Sequence, residues 1–297
     1  MTSKQIVYLP GKNPKPEAEL HRALLWRTLV EGVRRADSAV ADRVKACYPQ
    51  FHLVSWNYLY YRTYKDITKD IPWIDALINK HAPTEQDISE AHSWNIWLSR
   101  FLLTLADHIP LLIRMLPKEV RGTAQEIDRY FNNADGIGSE IRALLADTLR
   151  PMLERQDDVL LVGHSLGSVI AYDTLWEMSH WEGVKGKVKF LTLGSPMGLH
   201  YIQRRLLGMN GNSRKSYPEL VSRWINFSAE GDVTALNENL KDSFYPMLEL
   251  GLVESIEDHC HGIYNFFRSD DGLNCHRSYG YLVNPAVGSI IADWWQH

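Results

Sequence analysis

The amino-acid sequence predicts an α/β fold with a mostly parallel central sheet flanked by helices. Short apolar, β-rich runs that do not alternate with polar residues are typical of strands covered on both faces. Helical stretches separate these runs, and such alternation favours a parallel sheet with right-handed crossovers. The predicted strands are Ile6–Leu9, Phe51–Trp56, Val159–Val162, Val188–Leu193 and Trp224–Ser228. The predicted helical stretches include Glu17–Cys47, Ser168–His180 and a terminal helix over Pro285–Trp295.

The segment 58–150 does not follow this alternation, and we expect helices and no strand in it. Within Trp94–Met115, apolar side chains recur at spacings near three and four, which indicates a helix with an apolar face. Arg100 and Asp107 interrupt the run, so it is a poor membrane span. Two interpretations stay open: a helical hairpin packed on the core, or a cap or lid over an active site. We expect one domain over 1–297 that contains this insertion.

Composition narrows the class of protein. Of the 297 residues, 45% are hydrophobic and 23% charged, which is ordinary for a soluble globular chain. A net charge of −4 provides no basic field for phosphate backbones, so we expect no nucleic-acid partner. The N-terminal residues do not read as a secretory signal, which favours a cytoplasmic protein. Cys47, Cys260 and Cys275 then read as reduced thiols, with a Cys260–Cys275 disulfide as the alternative.

The strongest motif is GHSLG at 163–167, which matches G-x-S-x-G. This pattern is typical of a sharp strand-to-helix turn that exposes the serine hydroxyl and places it at a helix N-terminus. Four apolar strand residues precede the motif, and a helical pattern follows it. We therefore interpret Ser165 as a nucleophile. The alternative is an ordinary turn with an unreactive serine.

A serine hydroxyl needs a base, and the base needs an orienting acid. With a G-x-S-x-G serine, the acid and then the histidine follow in the chain. For the acid we favour Asp232, which follows a predicted strand, with Glu230 as the nearest substitute. Asp173 is expected to be a solvated or capping group. For the base we favour His276, in a late polar loop before the terminal helix.

Two further features concern ligands. His259 and His261 would share one face of a strand, as a metal pair can, but no third ligand is evident at metal-site spacing. We therefore expect no metal and no cofactor. Acyl transfer needs two N–H donors at the developing oxyanion. We expect one from Leu166, and the other from Gly11 or Lys12 after the first strand.

The segments GHSLGSVIAYD, LTLGSP, WINFSAEGDV and CHRSYGYL together resemble lipase- and esterase-like α/β-hydrolases, distantly akin to the GPI inositol-deacylase group. The resemblance covers the first strand and roughly residues 155–297. It implies an α/β-hydrolase fold with Ser165 as nucleophile, Asp232 as acid and His276 as base. The oxyanion loop departs from the pattern, because many lipases carry a His-Gly pair where this chain has Pro10-Gly11-Lys12.

These features favour a carboxylic-ester hydrolase that acts through an acyl-enzyme on a small-molecule or lipid ester. A thioesterase or an acyltransferase would use the same triad, since pocket shape decides between them. A non-catalytic hydrolase-fold binding module is the third hypothesis, because the aromatic-rich insertion could leave an apolar patch exposed. The same insertion raises the hypothesis of contact with a membrane surface.

Overall fold

The computed structural model describes residues 3–108, 118–209, 211, 213–235 and 239–297. The described residues form a central sheet of six strands in the order β2-β1-β3-β4-β5-β6, and every neighbouring pair is parallel. The strands are β1 (Lys4–Leu9), β2 (Phe51–Leu53), β3 (Asp158–His164), β4 (Val188–Leu193), β5 (Val221–Phe227) and β6 (Ser255–His259). A small antiparallel hairpin, β7 (Arg268–Ser269) and β8 (Gly272–Leu273), lies outside this sheet.

Helices connect the strands. The longer ones are α1 (Ala18–Ala36), α2 (Ser38–Lys45), α4 (Ile71–Asn79), α6 (Trp94–His108), α7 (Lys118–Phe131), α8 (Ile137–Glu154), α9 (Leu166–His180) and α14 (Pro285–Gln296). The shorter ones are α3 (Asn57–Tyr61), α5 (Glu85–Ala91), α10 (His200–Gln203), α11 (Leu240–Ser243), α12 (Tyr245–Glu249) and α13 (Ser278–Leu282). Single 3₁₀ turns occupy Tyr48–Gln50, Ala134–Gly136, Pro196–Gly198 and Arg214–Ser216.

The helices cover both faces of the sheet, so the core has two halves. Successive side chains of a strand point to opposite faces. Val7 and Leu161 accordingly pack with α8 and α9, through residues such as Leu145. Tyr8 and Leu160 pack on the other face with residues of α1, α2 and α14. Coverage on both faces explains why the strands are continuously apolar.

The prediction of a parallel α/β architecture is confirmed, and the structure adds two details. The helical stretch Glu17–Cys47 divides into two helices, because Asp37 ends α1 and its side chain accepts hydrogen bonds from the N–H groups of Ala39 and Val40, which starts α2. The edge strand β6 was not among the predicted strands. It carries the charged pair Glu257 and Asp258 and is only partly buried, which hides the apolar signal of a strand.

The described part of the insertion 58–150 is largely helical and contains no strand. The predicted helix over Trp94–Met115 is α6 up to His108, and residues 109–115 lie outside the described residues. Trp94 and Trp97 stack on each other with ring centroids 4.5 Å apart, yet are 68% and 51% exposed. In the described part of the chain, no helix combines the length and apolarity that a membrane crossing requires. The three cysteines, all within the described ranges, form no disulfide.

Candidate active site

Ser165 occupies a sharp turn between β3, which ends at His164, and α9, which begins at Leu166. Its backbone angles are φ 53° and ψ −128°, a region that costs a non-glycine residue conformational energy. Glycines on both sides make the turn feasible. A Cβ on Gly163 would lie 2.6 Å from the Cα of Ser168, and a Cβ on Gly167 would lie 2.3 Å from the carbonyl oxygen of Leu9.

Ser165, His276 and Asp232 form one chain of hydrogen bonds. The Ser165 Oγ lies 2.8 Å from His276 Nε2, and His276 Nδ1 lies 2.8 Å from Asp232 Oδ2. Because the carboxylate can only accept, Nδ1 carries the proton and Nε2 is free to accept one from the serine. The three side chains come from the C-terminal ends of β3 and β5 and from the loop before α13, and parallel strands bring such ends to one edge of the sheet.

Asp232 is buried, and three donors satisfy its carboxylate. Besides His276, the hydroxyl of Tyr281 donates to Oδ2 at 2.6 Å, and the N–H of Thr234 donates to Oδ1 at 2.8 Å. Burial alone would raise the pKa of Asp232, but the charge and hydrogen bond of His276, with the bonds from Tyr281 and Thr234, leave this pKa below its ordinary value. The carboxylate of Asp232 therefore stays ionised beside the imidazole.

A second histidine holds the loop that carries His276. His164 Nε2 donates to the carbonyl oxygen of His276 at 2.8 Å, and the side-chain oxygen of Asn274 accepts from the N–H of His276 at 3.1 Å. Burial lowers the pKa of His164 well below its usual value, and the proximity of His276 adds to this. His164 is therefore neutral, and its hydrogen bond anchors the loop.

The loop after β1 lies directly against the serine. A Cβ on Gly11 would come within 2.8 Å of the Cβ of Ser165. The side-chain amide of Asn57 donates to the carbonyl oxygens of Gly11 and Asn13, and Trp56 Nε1 donates to that of Pro10. These contacts fix the loop that carries Gly11 and Lys12. Leu166 opens α9, whose N-terminus favours negative charge.

The other sequence candidates lie elsewhere. Glu230 accepts a hydrogen bond from the N–H of Gly262 and lies 3.5 Å from His92 Nε2. Asp173 is 1% exposed, so the prediction that it is solvated is wrong; it accepts hydrogen bonds from Tyr130 and from the N–H of Leu207. Its burial raises its pKa to about 7.

His259 and His261 do not share a strand face, because β6 ends at His259, whose ring stacks on Phe227. Within the described residues, no cluster of three or more His, Cys, Asp or Glu side chains could hold a metal ion.

Two residues of the site were not predicted. Tyr281 bridges the acid and the N–H of Ala229, and Gly194, at φ 56°, lies where a Cβ would meet Asp232, His276 and Tyr281 within 3.1 Å. Both lie in segments that carry the family resemblance, CHRSYGYL and LTLGSP. A tyrosine or a glycine is common in any segment, so neither residue type indicates a site by itself.

A cavity of about 400 Å³ opens beside the serine. Its lining includes Ser165, His164 and His276, together with the loop 11–16 and parts of the segments 63–67 and 274–279. Its size is that of a pocket for a small molecule or for one end of a larger one.

No protein-family model, curated protein sequence or solved structure matches this chain. The arrangement of Ser165, His276 and Asp232 is therefore judged by its chemistry. A hydroxyl in contact with an imidazole, itself oriented by a buried carboxylate, can transfer a proton as the oxygen attacks an acyl group.

Proposed function

We propose that the chain is a serine hydrolase of the α/β-hydrolase fold that cleaves carboxylic esters through a Ser-His-Asp triad. The observation that carries this proposal is the pair of 2.8 Å contacts from Ser165 through His276 to Asp232. The strained backbone of Ser165 at the start of α9 supports it, because strain at a non-glycine residue persists where the surrounding structure enforces it and is common in active sites.

In the proposed reaction, His276 Nε2 takes the proton of Ser165 as Oγ attacks the ester carbonyl carbon. The tetrahedral oxyanion accepts N–H bonds from Leu166 and from Gly11 or Lys12. His276 then protonates the departing alcohol, which leaves an acyl group on Ser165. Water, deprotonated by the same imidazole, releases the carboxylic acid and restores the serine. Asp232 remains ionised throughout and stabilises the imidazolium.

We also propose that the insertion 58–150 is a cap or lid over this site and that the enzyme acts on lipid esters. Arg100 of α6 donates to the carbonyl oxygen of Asp232 at 3.2 Å, so this helix passes over the loop of the proposed acid. At its other end, Asp107 accepts hydrogen bonds from the N–H groups of His200 and Tyr201. The exposed Trp94 and Trp97 are suited to contact a lipid surface, because indole rings favour the interface between lipid and water.

The experiment that tests the function is hydrolysis of 4-nitrophenyl acetate. The Ser165→Ala variant should lose at least 10³-fold in kcat/KM, since removal of a triad member leaves only the oxyanion hole and binding. The matched control is Ser38→Ala, at an exposed serine on α2, which should keep wild-type activity. Hydrolysis by Ser165→Ala at the wild-type rate would overturn the proposal.

A further inference from the structure

The cavity beside Ser165 has a strongly cationic wall. Four of its lining residues carry a positive side chain, namely Lys12, Lys15, Lys65 and Arg277. Among the described residues that line it, none is an aspartate or a glutamate. This concentration is notable in a chain whose net charge is −4, because like charges gathered at one wall repel each other unless something opposes them.

Neighbouring carboxylates oppose only part of this charge. Asp70 pairs with both Lys65, at 2.6 Å, and Arg277, and Glu126 lies 3.4 Å from Lys12. These two carboxylates stand against three cations that pair with them, so the wall keeps an excess of one positive charge before the fourth basic side chain is counted.

Lys15 forms no ion pair with any described residue, and its Nζ donates to the carbonyl oxygen of Lys12 at 2.7 Å. Burial is the main cause that lowers the pKa of Lys15 to about 7, and the positive charges of Arg277, Lys65 and Lys12 lower it further.

Polar atoms in the same wall lack partners. His21 is 2% exposed and His164 is 5% exposed, and the Nδ1 atom of each has no hydrogen-bond partner among the described residues. The Nε atom of Arg277 is likewise buried without a partner. Buried polar groups in native proteins are normally paired. These atoms are closed off from the cavity surface, so the charged side chains of the wall, and not these atoms, indicate the kind of ligand.

The wall is also rigid, as a binding site for a small group requires. Pro14 and Pro16 fix the backbone on either side of Lys15. The N–H of Lys65 donates to the carbonyl oxygen of Lys15 at 2.9 Å, which joins the loop 11–16 to the segment 63–67. The backbone that carries these cations is therefore ordered before a ligand arrives, which lowers the entropic cost of binding.

We propose that this cavity binds an anionic group, a phosphate or a carboxylate, that is part of the ester substrate. The inference rests on the proposed function of Ser165 and names the substrate class of that site: esters with a negative charge within reach of Lys15, Lys65 and Arg277. An anion there cancels the excess positive charge of the wall and accepts hydrogen bonds from its lysines.

Two matched substrate pairs test the proposal. One pair places the charge on the acyl side, as mono-4-nitrophenyl adipate against 4-nitrophenyl heptanoate. The other places it on the alcohol side, as 1-butyrylglycerol 3-phosphate against 1-butyrylglycerol. Wild-type protein should favour the anionic member of at least one pair by about tenfold or more in kcat/KM, the effect of one hydrogen bond to a charged group. The preference should shrink as salt is raised. Equal kcat/KM within both pairs would overturn the proposal.

Substitutions assign the preference to the cavity. Lys15→Met should remove most of the anionic-to-neutral ratio of kcat/KM, and Lys15→Arg, which keeps the charge, should retain it. The control is Lys45→Met, at an exposed lysine of α2, which should keep the wild-type ratio. A Lys15→Met protein with the full wild-type ratio would contradict the assignment. If Lys15→Met does not fold, Lys65→Met and the salt dependence of wild type make the same test.

Binding without turnover separates this inference from the proposed function. Calorimetry of the Ser165→Ala protein with glycerol 3-phosphate should give saturable binding that glycerol does not show, and adding Lys15→Met should weaken it about tenfold or more. Ester hydrolysis without any anion preference or binding would refute the inference and leave the hydrolase. Anion binding without any hydrolysis by wild type would refute the hydrolase and leave a cationic binding site.

Discussion

Gly194 is the position where one added methyl group tests the geometry of the site most sharply. It lies just after β4, at φ 56°, with Asp232 and His276 on the open side of its Cα. In Gly194→Ala, the new Cβ would lie 2.8 Å from Asp232 Oδ2 and 3.0 Å from His276 Nδ1. The first distance is about 0.6 Å short of the 3.4 Å at which ordinary contact begins. The acid and base must therefore move apart, or the backbone must shift.

The expected size of the effect follows from these distances. A misplacement of about 1 Å can cost about a hundredfold in rate, so a shift of about 0.6 Å should lower kcat by roughly ten- to a hundredfold. The positive φ adds about 1–2 kcal/mol of backbone strain to any residue with a Cβ. This second cost affects the free energy of unfolding and not the chemistry, so the two effects can be separated.

The control is Gly251→Ala. Gly251 has φ 61° and follows α12, but a Cβ there would meet nothing within 4 Å. Both variants should lose free energy of unfolding in urea titrations through the positive φ, and Gly194→Ala should lose more because its Cβ also clashes with buried groups. Only Gly194→Ala should lose kcat toward 4-nitrophenyl acetate. Equal kcat values for the two variants would show that the contact between Asp232 and His276 does not need a glycine at 194.

Two further predictions concern stability and surface contact. Burial raises the pKa of Asp173 from 3.8 to about 7, so the carboxyl group keeps its proton to a higher pH in the folded protein than in the unfolded chain. The free energy of unfolding that this difference contributes at low pH is lost as the pH rises toward 7. Between about pH 4 and pH 7.5, the free energy of unfolding of wild type, measured in denaturant titrations, should fall by up to roughly 4 kcal/mol relative to that of Asp173→Asn. Parallel pH profiles of the two proteins would contradict this. The double variant Trp94→Ser/Trp97→Ser should co-sediment less with phosphatidylcholine vesicles than wild type. Trp181→Ser, at a residue 67% exposed just after α9, should co-sediment like wild type, and equal sedimentation of all three proteins would refute the lipid contact.

The central strands were predictable because burial on both faces leaves a strong apolar signal in the sequence. Val188–Leu193 agrees with β4 at both ends, and the other predicted strands differ from the observed ones mainly in their bounds. The sheet edge was not predictable in this way. Ser255–His259 contains one fully apolar residue, Ile256, and reads as a polar loop. The break at Asp37 depends on one capping side chain, which the apolar periodicity of its neighbours conceals.

The proposed triad could be placed from the sequence because chain order and strand ends restrict the candidates. Asp232 follows β5 closely, and His276 lies in the last polar loop. The cationic wall could not be predicted, because its members come from three distant segments, represented by Lys15, Lys65 and Arg277. Their proximity is a product of tertiary packing. The burial of Asp173 was missed for the same reason, since its partners Tyr130 and Leu207 come from other elements.

Peptide mass spectrometry after reaction with a fluorophosphonate tests the central claim most directly. The reagent phosphonylates a serine only where a base activates its hydroxyl, so it reports on the contact between Ser165 and His276. We expect one adduct, on the peptide that contains Ser165, with loss of esterase activity in proportion to labelling and no adduct in His276→Ala. An unlabelled Ser165 in a protein that hydrolyses esters, or inactivation through an adduct at another serine, would contradict the account.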